Sequence, residues 1–489
     1  MGDETPVARL DRGLVVAAAV VVLGSFMGLL DTTIVNIAIP TLGRDFHAQL
    51  STIQWTATAY LLALSIVIPL SGWAVERWGA KRVWLVSIML FTAGSALCAA
   101  SWSVPSLVVF RCLQGAGGGM ILPVGQTIIA QAAGPLRMGR MMSAIGAPTL
   151  LAPILGPVLG GMILEYASWR LIFLVNVPVG VVAVLAGLRV FRSEPRVAPA
   201  KKLDVLGFAT LALGLACLVF GLSRVAVSSI TTLASGGVIV AGVCCIVVFI
   251  AHALRQGPAA LIDMALFKKS RSFVAAAVMS LLFSAQLLGV MLLLPIYYQS
   301  VRGQGPLAAG ALIAPQGLGA ICGMFTAGWL TDRIGAGRVV PVGVALGVLG
   351  TCVLTQVGAA PSLGLLAAAL FVRGLGLGSM MTPAIAAALA TLRRADVPGA
   401  TTALNIIQRI SGAFGTALLA VILTAGIPSA DRAHLFSSGA AVSTNALAQA
   451  FQDPFWVAVA MLAALIIPAL MLPRRVLGLS SSSELEVVA

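Results

Sequence analysis

Charge is what this 489-residue chain has least of: Asp, Glu, Lys and Arg together make up 9% of it. Soluble globular domains carry about 25%, so the shortage excludes an ordinary water-soluble protein. It equally excludes the disordered class, which is built from charge in place of apolar residues. Histidine is nearly missing, and His47, His252 and His434 stand far apart at or beyond helix ends, so no metal site is expected. The seven cysteines (Cys98, Cys112, Cys217, Cys244, Cys245, Cys322 and Cys352) fall in apolar runs without Cys-x-x-Cys spacing. That rules out a disulfide scaffold and suits small packing residues. None of the five lysines follows a glycine, which leaves no Walker A phosphate loop and no ATP-driven pump.

What remains is apolar. Hydrophobic residues make up 59% of the chain, its mean hydropathy is +1.04, and it carries 52 glycines. Membrane helices accept glycine where soluble helices resist it, so the composition is that of an all-α polytopic membrane protein. Runs of about 20 apolar residues place fourteen spans, near 14–39, 53–75, 83–101, 105–131, 141–165, 169–190, 205–223, 233–254, 272–298, 307–331, 338–357, 361–390, 399–424 and 454–472. The first run is too long for a signal-peptide core. An even count puts both termini on one side.

The net charge of +14 would suggest nucleic acid in a soluble chain; here its placement matters instead. With a cytoplasmic N-terminus, 22 of the 30 Lys and Arg fall in inside segments and five in outside loops, while Arg111, Arg373 and Arg409 sit within spans. That is a strong positive-inside bias, and it predicts a multi-pass protein of the cytoplasmic membrane with both termini cytoplasmic. Two basic connections, Arg192–Asp204 and Arg255–Arg271, flank spans seven and eight. The expected organisation is a six-helix bundle over 1–190, two inserted helices over 191–271, and a second bundle with a short tail over 272–489.

The two bundles repeat each other. Gly72-Trp-Ala-Val-Glu-Arg-Trp-Gly-Ala-Lys-Arg82 returns as Gly328-Trp-Leu-Thr-Asp-Arg-Ile-Gly-Ala-Gly-Arg338, 256 residues later. Weaker matches follow in order: Arg111-Cys-Leu-Gln-Gly115 with Arg373-Gly-Leu-Gly376, and Ser143-Ala-Ile-Gly146 with Thr402-Ala-Leu-Asn405. Parallel halves related by an axis along the membrane normal are a transporter architecture, with the substrate site between them.

These residues resemble the major facilitator superfamily, and within it the drug:proton antiporters of the fourteen-helix branch. Gly72–Arg82 is similar to the family's motif A, Arg111–Gly119 to motif B, and Gly146 through Gly156-Pro157-Val-Leu-Gly160-Gly161 to the antiporter motif C. Leu30-Asp31 through Pro40 and Trp169 through Gly180 match the branch in helices one and six. The first motif A has Glu76 where the family has Asp, and the second has Asp332; Gly337 stands in the place of Lys81. The resemblance implies a multidrug efflux transporter that exchanges protons for lipophilic or cationic compounds, needs no cofactor beyond the proton gradient, and works as a monomer. It also implies that Arg111 takes part in proton coupling.

The residues support that reading on physical grounds. Asp31 is the one carboxylate well inside a span, where a charge costs about 3 kcal/mol or more and usually faces a cavity. Burial moves such a carboxyl toward neutral pH, where it exchanges protons. Gly72 permits close helix approach and Gly79 a tight turn. Glu76, Arg77, Lys81 and Arg82, restated by Asp332 and Arg333, are expected to form an ion-pair latch that breaks when the cytoplasmic side opens, with a solvated loop obeying the positive-inside bias as the alternative. In motif C, Pro157 removes a backbone donor while Gly156, Gly160 and Gly161 allow helix contact. Gln54, Tyr60, Gln114, Met120, Gln286, Tyr297 and Gln316 are candidate cavity residues, with ordinary packing as their alternative. A dedicated exporter of one metabolite stays open beside the multidrug reading. A membrane enzyme is remote, because no Ser/His/Asp set or carboxylate pair shares one region.

Overall fold

The computed structural model describes residues 12–133, 137–191, 202–228, 233–356, 362–427 and 444–473. Both termini, most of the basic connection after Arg192, and His434 lie outside the described residues. No strand occurs among the described residues. Long helices are what apolar, glycine-rich runs must form in a bilayer, since only internal hydrogen bonds can satisfy the backbone there.

The helices are α1 (Arg12–Asp45), α2 (Leu50–Ile53), α3 (Trp55–Val67), α4 (Leu70–Trp78), α5 (Ala80–Ala99), α6 (Val104–Ala133) and α7 (Met138–Tyr166). They continue with α8 (Arg170–Leu174), α9 (Asn176–Val190), α10 (Val205–Ser228), α11 (Leu233–Gln256), α12 (Leu266–Lys269) and α13 (Arg271–Ile296). Next come α14 (Pro306–Ile334), α15 (Ala336–Leu354), α16 (Leu363–Ala390) and α17 (Val397–Ala425). The last span is built of Thr444–Ala450, Gln452–Ala464 and Ile466–Leu470.

Among the described residues twelve helices are long and apolar enough to cross a membrane; the pair α3–α4, bent by 53°, makes thirteen. The bend falls at Pro69, which has no N–H to carry the helix ladder on. The expectation of fourteen spans is therefore met to thirteen. The remaining element it needs is α7, a 29-residue helix packed along α1, whose only charges are Arg140 and Glu165.

The two halves pack by the same rule. α1 lies on α7, and α3 and α5 both lie on α6; correspondingly α13 lies on α17, and α14 and α15 both lie on α16. Gly79 and Gly335, 256 residues apart, close the α4–α5 and α14–α15 turns at φ +85° and +84°, a region closed to most side chains. Helix α10 packs against α3 and α17, and α11 packs mainly on α10.

Two seams join the halves, both at the end that carries these turns. In one, α4 and α6 meet α17: Ser71 Oγ is 2.8 Å from Thr402 Oγ1, Thr127 Oγ1 is 2.8 Å from Thr401 Oγ1, and Asn405 Nδ2 donates to Gln126 Oε1 at 2.8 Å. In the other, α14 meets α7: Gly139 N and Arg140 Nε donate to Asp332 at 3.1 and 2.7 Å. A Cβ at Gly72 would fall 3.0 Å from Thr402 Oγ1 and 3.2 Å from Pro398 O, so the first seam closes this tightly because the residue is glycine.

Candidate functional site

Asp31 sits midway along α1, fully buried, and three side chains converge on its carboxylate. Arg111 Nη1 on α6 donates to Oδ2 at 2.6 Å, while Gln114 Nε2 and Asn176 Nδ2 donate to Oδ1 at 2.9 and 3.0 Å. Arg111 and Gln114 reach it together because residues three apart share a helix face. Ser95 Oγ on α5 accepts from both amides, at 3.1 and 3.0 Å, and donates to Phe173 O. Arg111 is further fixed by Thr56 O, at 3.1 Å from Nε, and by Gln114 Oε1 at 2.6 Å. Its guanidinium lies 4.1 Å from the Tyr60 ring centroid, a cation–π distance.

Glycine makes this possible. A Cβ at Gly94 would lie 2.7 Å from the Gln114 backbone, and one at Gly115 would lie 2.5 Å from Tyr60 O. Small residues thus draw α5, α6 and α3 close enough for five helices to share one polar cluster. Every contact to the carboxylate comes from a donor, so a proton arriving on either oxygen displaces one of them. The negative charge of Asp31 is committed to Arg111 in this conformation.

Arg373 occupies the corresponding place on α16, also fully buried. It donates through Nε to Thr351 Oγ1 at 3.2 Å, through Nη2 to Gln286 Oε1 at 2.9 Å, and through Nη1 to Gln316 Oε1. Gln286 stands for Asp31, Thr351 for Ser95 and Gln316 for Tyr60. At the place of the carboxylate the second cluster carries an amide.

The two copies of motif A place their charges differently. Asp332 bridges the halves to Arg140; Arg333 instead stacks 3.9 Å over the Trp329 ring. Lys81 Nζ caps the end of α9, donating to Leu188 O and Phe191 O at 2.9 and 2.6 Å, and so works within its own half. Glu76 lines a cleft with Trp73, Lys202, Asp204 and Asp396; Arg77 is half-buried and Arg82 exposed. In motif C, Gly156 and Gly160 face Thr33 and Ile34 of α1, whereas Gly161 faces open space; the side chain of Pro157 lies outside the described ones.

Of the candidate cavity residues, Tyr60 and Gln114 belong to the Asp31 cluster, and Gln286 and Gln316 to that of Arg373. Gln54 precedes α3, outside both clusters, and Met120 packs on the main core. Tyr297 is buried against Tyr298 and Phe451, with ring centroids 5.4 and 5.6 Å away, because aromatic packing takes it into the core. Asn176 and Ser95 were not singled out from the sequence; Asn176 stands inside the quoted Trp169–Gly180 segment, and its polarity within an apolar run was the available signal.

The family model described as Major Facilitator Superfamily matches residues 21–416 and 281–486. The chain belongs to that superfamily. It is 38% identical over 504 residues to the Multidrug resistance protein B homolog of Mycobacterium tuberculosis, covering 97% of this chain and 93% of that one. It is 33% identical over 331 residues to the Putative multidrug resistance protein MdtD of Shigella flexneri, covering 67% and 69%. Among solved structures it resembles the proton:xylose symporter XylE (TM-score 0.62, 14% identity, 93% of this chain and 96% of that one). It also resembles the human organic anion transporter MFSD10 (TM-score 0.61, 16% identity, 92% and 99%). At those identities the likeness is one of fold. This superfamily member is a multi-pass transporter and not an enzyme.

Proposed function

We propose that the protein is a secondary exporter that moves small lipophilic compounds out of the cell in exchange for protons. The observation that carries this is the Asp31–Arg111 pair, buried at 2.6 Å in a cluster with no counterpart carboxylate in the second half. Protonation of Asp31 releases Arg111, and re-formation of the pair expels the proton; the helices that hold the two groups respond to that exchange. The names of the relatives supply the substrate breadth, and the scarcity of fixed charge suits apolar molecules. With the basic segments inside, both termini and both seams are cytoplasmic, α7 is the fourteenth crossing, and the seams described above close the cytoplasmic side. Asp332–Arg140 is then the ion pair that must break for that side to open.

The experiment is transport in proteoliposomes. An imposed pH step should drive uptake or release of a lipophilic probe, without ATP, and a protonophore should abolish it. Transport that needs ATP, or that ignores the proton gradient, overturns the proposal.

A further inference from the structure

Three arginines and one carboxylate lie in the middle of the spans. Arg111 is neutralised by Asp31. Arg373 is held by two amide oxygens and a hydroxyl, all uncharged. Arg409, near the centre of α17, makes no hydrogen bond or ion pair with any described residue. Arg373, inside the second half, and Arg409, on the helix that meets the first half, are therefore two mid-span positive charges without a counter-charge among the described residues. Charges that deep in a membrane protein are retained where they face a water-filled path or a ligand.

The direction in which Arg409 points follows from helix periodicity. Thr401, Asn405 and Arg409 are spaced four apart and share one face of α17. The first two bond Thr127 and Gln126 of the opposite half. Arg409 comes next along that face, beyond the last inter-half hydrogen bond, and its charge acts on Tyr60 of the first half. The same four-residue spacing continues to Ala413 and Ala417, which pack with Leu218, Leu222 and Val225 of α10, so Arg409 stands where the face that meets the first half passes into the face that meets α10. Its side chain is half-buried. Tyr60 links it to the coupling cluster, since the same ring carries Arg111.

We infer that Arg409 receives the acidic group of the substrate, and that the compounds best suited to this site are amphiphilic organic anions: a carboxylate or sulfonate on a lipophilic body. This rests on the exporter reading above and names its substrate class. The one buried carboxylate that would attract a cation is already paired, while an unpaired guanidinium offers an anion charge-assisted hydrogen bonds in a site of low polarity.

The test compares two probes that share an aromatic body, 1-anilinonaphthalene-8-sulfonate and its uncharged relative N-phenyl-1-naphthylamine, by equilibrium dialysis against the purified full-length protein. The ratio of the two affinities should favour the sulfonate in the unaltered protein. It should fall about tenfold or more in Arg409→Gln, the usual size of a hydrogen bond to a charged group, and less in Arg409→Lys. A ratio that is the same in all three proteins overturns the inference, as does an unaltered protein that prefers the neutral amine. Should Arg409→Gln fail to fold, the unaltered ratio and Arg409→Lys decide. Efflux of the neutral amine driven by a pH step reports on the exporter reading separately. Its presence alongside an unchanged ratio sinks the anion site alone, and its absence sinks the exporter reading.

Discussion

Asp31 on α1 and Gln286 on α13 stand at equivalent places of the two halves, and each bonds the arginine of the facing helix, at 2.6 and 2.9 Å. One half thus carries a group that can take up a proton where the other carries an amide that cannot. The clusters share their helix positions and differ in charge, so in the proposed exchange the proton acts on the first half.

Asp31→Asn should abolish the response of transport to an imposed pH step while the protein still inserts. Removing one partner of a buried pair costs about 3 to 5 kcal/mol, so this variant should melt well below the unaltered protein. Arg111→Gln in the same chain should recover much of that stability, because no unpaired charge then remains, yet should not recover coupling. Thermal melts of the two variants, read beside efflux, check both statements. A double variant as unstable as Asp31→Asn would mean that the charge pair does not set the cost.

The seam at Asp332 gives the second expectation. Asp332→Asn weakens its bond with Arg140 and removes the negative charge that faces that guanidinium across the seam. The closed form should lose population, since the pair forms only when α14 meets α7. A cysteine introduced as Thr402→Cys in a cysteine-free background reads the other seam, which Ser71 closes in the unaltered protein. Its labelling by an impermeant thiol reagent should speed up when Asp332 is changed. An unaltered labelling rate would remove the ion pair from the closure.

Asp204, just ahead of α10, anchors the inserted helices. Burial pushes its carboxyl up, but bonds from Gly207 N, His252 and Leu261 N outweigh that and hold it below the ordinary carboxylate value. A group whose pKa is lower in the folded chain stabilises the fold above its unfolded pKa, about 4, and loses that contribution as pH falls through the folded value. Hydrogen exchange at the Gly207 and Leu261 amides should therefore be faster in Asp204→Asn than in the unaltered protein near neutral pH. The difference should shrink below about pH 4. A difference that grew in acid would have the wrong sign for this carboxylate.

Much of this was legible in the residues. Apolar run length gave the helices, and the returning Gly72–Arg82 segment gave the equivalence of Gly79 and Gly335, which the matching φ angles express physically. Asp31 and Arg111 stood out because charge is costly in a span. The partition of motif A was hidden: whether Lys81, Arg333 or Asp332 reaches across the halves depends on which helix end lies opposite, and sequence spacing carries no information about the opposing surface. Arg409 was visible as a charge within a span, but its direction needed the hydrogen bonds of Thr401 and Asn405. Tyr297 kept two readings because a tyrosine reads alike in an aromatic core and in a cavity wall.

Motif C offers the sharpest separation of neighbouring residues. A Cβ at Gly156 would fall 2.6 Å from Thr33 Cβ, two residues beyond Asp31 on α1. One at Gly160 would meet Ile34 Cγ2 at 3.4 Å, an ordinary contact, and one at Gly161 would meet nothing within 4 Å. Gly156→Ala should therefore force α7 off α1 at a cost of about 1 to 3 kcal/mol, and it should disturb the register that brings Asp31 to Arg111. Gly161→Ala adds a better helix former in open space and should be neutral or stabilising by up to about 1 kcal/mol. Gly160→Ala should fall between them. Melting temperatures and pH-driven efflux for the three variants should rank in that order, with both lowest for Gly156→Ala. If Gly161→Ala proved as damaging as Gly156→Ala, the two glycines would be needed for something other than the approach of α7 to α1, such as a bend that α7 makes during transport.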